Sequence, residues 1–133
     1  MLLRLTLVIA LTSAPLLANH CCTPGVDKLP PKQVKTLLDK TEPIQAPCCG
    51  SNLHIKGTIV LAIAVDANGE VTCVTMVSGH PLIIASAIDS VRRWKFWPYA
   101  VKGVRKSFCG KVTLRYEATE YAVKYEVILP PQD

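Results

Sequence analysis

The sequence predicts an α+β domain, a two-layer sandwich of β-β-α-β order with one main helix on a three-stranded antiparallel sheet. Three observations carry this. Thr58–Val65 is apolar at every position after Thr58, with larger residues alternating with smaller ones, as in a central strand whose bulk packs against a helix on one face. Asp66-Ala-Asn-Gly69 then supplies a hairpin turn before the second apolar run, Val71–Val77. Beyond Pro81, Ile84, Ala87, Ile88, Val91 and Trp94 recur at three- and four-residue spacing, a helical stripe aimed at the sheet.

At 133 residues with 50% apolar content, the chain supports one modest core. Residues 1–18 are read apart from it as a secretory signal: Arg4, the apolar run Leu5–Leu11, and Pro15-Leu-Leu-Ala18 as the cleavage site. A membrane anchor is the rival reading, but the run falls short of the roughly 20 apolar residues that span a bilayer. Export places the protein beyond the cytoplasm. Residues 19–41 read as a linker with a short helix over Lys32–Lys40, entered at Pro31 with Val34, Leu37 and Leu38 on one side. Glu42-Pro43 ends it, and an irregular arm carries Cys48-Cys49 to the first strand.

In the hairpin, pairing Val65 with Val71 puts Val71, Cys73, Thr75 and Val77 on the packed face. Gly79 breaks the second strand and Pro81 opens the helix, with Ser86, Asp89, Arg92 and Arg93 on its outer side. Pro98 stops the helical region and Val101–Gly103 is a turn. Val104–Tyr116 alternates as the third strand, Val104, Phe108, Val112, Leu114 and Tyr116 on one face and Arg105, Cys109, Lys111, Thr113 and Arg115 on the other. Chain direction then gives the strand order 3-1-2, with the all-apolar strand central. The tail, residues 119–133, holds a further alternating run, Tyr121–Ile128. Its connecting loop lacks Gly, Pro and Asn, so an extended or swappable tail is expected over a fixed hairpin.

Six cysteines in an exported chain point to disulfides, and adjacent Cys-Cys pairs suit a single metal ion poorly. No metal and no cofactor are expected. In the register above, Cys73 and Cys109 point to opposite faces and are not expected to bond; Cys109 is placed nearer Cys48 or Cys49. The formal charge is +5, or +4 without Arg4, and eight bases with no acid fall between Ser90 and Tyr116. Export argues against nucleic acid and leaves a solvated face or a docking face for an acidic peptide or envelope polymer. His80 reads as helix entry rather than catalytic base. Asp66, Glu70 and Asp89 lack paired-carboxylate spacing, so no enzyme is expected.

Taken in order, Glu42-Pro43, Gly57, Val65-Asp66 with Gly69, Ser78-Gly-His-Pro-Leu82, Ala87, Trp94-Lys-Phe96 with Pro98, and Gly103 resemble the C-terminal domain of TonB over residues 42–118. The resemblance implies a module that adds an extended segment of an outer-membrane receptor to the edge of its third strand, in energy-coupled transport. Carried over here, the edge comprises Arg105, Lys106, Ser107, Phe108, Cys109, Lys111, Thr113 and Arg115, with homodimerisation through it also open. The alternative is a disulfide-stapled envelope protein without a transport role.

Overall fold

A computed structural model describes residues 21–47 and 52–131. The expected signal segment and Cys48-Cys49 lie outside them. The chain is α+β. The central strand, β3 (His54–Val65), pairs antiparallel with β4 (Val71–Ser78) on one side and with β8 (Phe108–Thr119) on the other. Ile59, Leu61, Ile63 and Val65 of β3 are all at most 1% exposed and form the middle of the core.

Among the described residues the sheet has five strands rather than three, because two short segments join the far side of β8. At its start, β1 (Asp27–Lys28) runs parallel, opposite Phe108 and Cys109. Further along, β9 (Val123–Ile128) runs antiparallel opposite Thr113–Ala118. The tail is therefore a hairpin strand and not an extended arm. Thr119 replaces the missing turn residues: its N–H donates to the Ala122 carbonyl (2.9 Å), and its hydroxyl accepts from the Tyr121 and Ala122 N–H groups.

Helix α1 (Pro31–Leu37) is shorter than the expected Lys32–Lys40. Leu38–Lys40 turns extended as β2 and pairs with β5 (Lys95–Phe96), while the Trp97 N–H donates to the Leu37 carbonyl. Val34 of α1 seats over Gly110 of β8, where an added Cβ would lie 2.6 Å from the valine methyl. Helix α2 (Pro81–Arg92) buries Ile83, Ala87, Ser90 and Val91, with Trp94 just beyond its end. Ile84 and Ile88 are only partly buried, so the inward face is rotated from the expected stripe. His80 caps this helix, its Nδ1 accepting from the Leu82 N–H at 3.2 Å.

The third strand does not start at Val104. Tyr99–Val101 (β6) and Val104–Lys106 (β7) form a separate hairpin, closed by Lys102 and Gly103 at φ 52° and 78°. Two positive-φ residues make the primed turn that a two-residue loop requires. Val104, expected to face the core, is consequently 61% exposed.

The cysteine register also differs from the expected one. Val65 pairs Val71, but Ala64 pairs Cys73, leaving Thr72 as a bulge residue that turns Cys73 to the open face. Ala64 also pairs Cys109, so Cys73 and Cys109 flank one alanine on that face, two strand spacings or about 9–10 Å apart. The chain before β1 crosses there and bonds both, Cys21 to Cys73 and Cys22 to Cys109, with Cα–Cα separations of 5.5 and 5.3 Å. Cys73 and Cys109 are thus unbonded to each other, and Cys109 bonds Cys22 rather than either cysteine of the arm.

Candidate peptide-binding edge

The outer edge of β8 is held from both ends. β1 covers Phe108 and Cys109, and the Leu29 N–H extends this by donating to the Cys109 carbonyl at 2.8 Å. β9 covers Thr113–Ala118, leaving Gly110–Val112 between them. The edge residues expected from the sequence therefore separate. Arg105 and Lys106 belong to the β7 hairpin, and Ser107 links it to β8. Phe108 is wholly buried and Cys109 is disulfide-bonded. Lys111, Thr113 and Arg115 do lie on β8, with Thr113 and Arg115 opposite Ile128 and Glu126 of β9.

What seats β9 was not among the candidates. Trp94, with no exposed surface, stacks its ring on Tyr125 at 6.1 Å between centroids and 11° between planes. The Trp94 Nε1–H donates to the Ser90 hydroxyl (3.2 Å), which donates to the Glu42 carbonyl (2.6 Å). That same carbonyl accepts the Tyr125 hydroxyl. Helix, arm and tail are thereby joined at one backbone oxygen, whose two lone pairs accommodate both donors. Ser90 was legible only as a polar interruption in an apolar helix face, and Tyr125 only as one member of an alternating run.

On the open face, cross-strand partners form charged rows: Lys56, Glu117 and Lys124 in one, Thr58, Arg115 and Glu126 in the next. Arg115 pairs with Glu126, its Nε donating at 2.7 Å. His54 Nε2 lies 2.9 Å from Glu117, and this hydrogen bond, followed by the charge of the imidazole, holds the Glu117 carboxyl below its usual range. Lys56 and Lys124 act in the same direction. In His54→Ala, the Glu117 carboxyl is expected to titrate closer to an ordinary glutamate in side-chain NMR. An unchanged midpoint would assign the effect to the lysines.

The basic run is partly neutralised within the chain. Arg93 faces Asp89 and Glu42, Lys95 pairs Glu70, Lys106 lies 3.6 Å from Asp27, and Arg115 is taken by Glu126. Half of the eight bases are thus compensated within the chain. Trp97 is 58% exposed. Among the described residues, no group of His, Cys, Asp and Glu could hold a metal ion, and no helix is long and apolar enough to cross a membrane.

Residues 51–118, just over half of the chain, match the family model for the Gram-negative bacterial TonB protein C-terminal. The chain belongs to that family. No curated protein and no solved structure matches it. The TonB match ends at Ala118, where β9 has not yet begun, and starts after the Cys21-Cys22 segment. Both segments that close the β8 edge of this TonB domain therefore lie outside the matched region.

Proposed function

We propose that this TonB C-terminal domain is a non-enzymatic periplasmic module that binds an extended segment of an outer-membrane receptor by strand addition to β8, as part of energy-coupled transport. The supporting observation is β9 itself. Residues Thr113–Ala118 of β8 accept a six-residue antiparallel strand with continuous register, which is the interaction a strand-adding ligand makes. Thr113 and Arg115 lie in that register, and Lys111 lies in the uncovered stretch just before it. In this reading the incoming peptide takes the place of β9, because a hydrogen-bonding edge accommodates one strand at a time.

Deleting Tyr121–Asp133 tests the reading, with binding of a receptor-derived peptide as the measurement and circular dichroism as the check of folding. The expected result is a gain of tenfold or more, equal to about 1.4 kcal/mol. Loss of binding on deletion would mean that the peptide adds to the outer edge of β9 instead. No binding by either form favours the second reading, an envelope protein whose Cys21–Cys73 and Cys22–Cys109 disulfides and closed edge serve stability alone.

A further inference from the structure

If strand addition to β8 is the function, as proposed above, β9 shows which peptide the edge accepts. We propose that β9 is a resident copy of the ligand, and that the segment admitted to β8 carries an aromatic residue followed directly by a carboxylate, in the order apolar–any–aromatic–acid–apolar. Trp94, the Glu42 carbonyl and Arg115 read the two central positions.

The register dictates where each side chain goes. Val123, Tyr125 and Val127 face the core, and Lys124 and Glu126 lie on the open face. Any strand laid in this register sets one side chain opposite Tyr116, beside Trp94 and the Glu42 carbonyl. Trp94 has no exposed surface with β9 in place, and departure of Tyr125 would strip the ring that stacks on it. A replacement that covers an indole face and donates to a carbonyl at its tip is a planar ring with a polar end. A β-branched side chain covers less of the indole and leaves the carbonyl with one donor fewer.

The next position is set by charge. Arg115 faces Thr58 on one side and Glu126 on the other, so the carboxylate opposite it comes from the added strand. The position before the aromatic is different. Glu117, opposite Lys124, already has His54 and Lys56 beside it on β3, so no base is needed from the ligand.

β9 is also placed to leave. None of its six residues is fully buried, and clefts of about 520 and 490 Å3 lie beside Tyr125 and Glu126. β1 differs, since Cys22, five residues before Asp27, is bonded to Cys109 of β8 itself. Displacement is therefore confined to the Thr113–Ala118 register, and the ligand is a short segment.

The probe is a labelled peptide with the sequence of residues 121–131, titrated by fluorescence anisotropy against the full chain bearing Glu126→Lys, which loosens the resident strand at a surface position. Peptides carrying Tyr125→Ala or Glu126→Lys, and a Val/Thr alternating peptide of equal length, complete the set. The unaltered peptide should bind at least tenfold more tightly than the Tyr125→Ala and Val/Thr peptides. On a full chain with Arg115→Glu, the preference between the Glu and Lys peptides should reverse. Repeating the series in full-length Tyr125→Phe guards against a folding defect of the first variant. Equal binding of all peptides without reversal overturns the proposed selectivity and leaves strand addition standing. Absence of binding by every peptide overturns both, and a complex that contains two chains per peptide-free assembly, with tails exchanged, assigns the edge to a second copy and overturns the ligand reading.

Discussion

Replacing Gly69 with alanine should destabilise this domain by about 2–5 kcal/mol, the sum of a left-handed backbone cost of about 1–2 and an overpacking cost of about 1–3. Gly69 sits at φ 87° in the β3–β4 turn, and a Cβ there would lie 2.0 Å from the Phe96 carbonyl oxygen. Neither partner can yield alone. The Gly69 carbonyl accepts the Phe96 N–H at 3.0 Å, and Phe96 is itself paired with Leu38. The turn is thus packed against the backbone of β5 and, through it, β2. For a domain with about 5–15 kcal/mol in total, the substitution removes a large share of stability. Gly103→Ala is the control: its φ is 78°, but no atom lies within 4 Å of the added Cβ, so only the conformational cost applies. Chemical denaturation of the two variants separates the terms. Equal losses would show that the contact with Phe96 contributes nothing.

The double substitution Cys21→Ser with Cys22→Ser should cost at least about 2–5 kcal/mol, the range for losing one native disulfide from a small exported domain. The bonds close sequence separations of 52 and 87 residues, for which the loop-entropy model gives about 4.1 and about 4.6 kcal/mol. Because their N-terminal ends are adjacent residues, the second bond constrains a chain that the first has already tied, and the two values do not add. A local effect accompanies the global one. Freed from β8, the chain before β1 no longer holds Asp27–Lys28 at Phe108 and Cys109, and the Leu29 amide loses its carbonyl partner. Hydrogen exchange at Leu29 should accelerate more than at Leu61 of the central strand. A variant with unchanged denaturation midpoint and unchanged Leu29 protection would contradict this account of the staple.

Much of the fold was legible because it is local. A strand with the unbroken apolar run Ile59–Val65, a turn with glycine at its required φ and a helix entered at His80-Pro81 each depend on neighbouring residues alone. The α+β class follows from their order, and the ordered marks from Glu42 to Gly103 carried the family. What escaped depends on contacts distant in sequence. A single bulge residue, Thr72, moved Cys73 to the open face, because an added residue reverses the side of each side chain after it. A hairpin took Val104–Lys106 out of the third strand, since two short strands and one long alternating strand share the same period. The tail was decided furthest from its own residues. Its loop lacks the usual turn formers, but Tyr125 reaches Trp94, 31 positions back, and the Glu42 carbonyl, 83 positions back. The sequence by itself determined which segments could be strands and helix, through periodicity and turn chemistry. Only the tertiary structure decided what covers the edge of β8, because two distant segments meet there through a disulfide and one shared carbonyl.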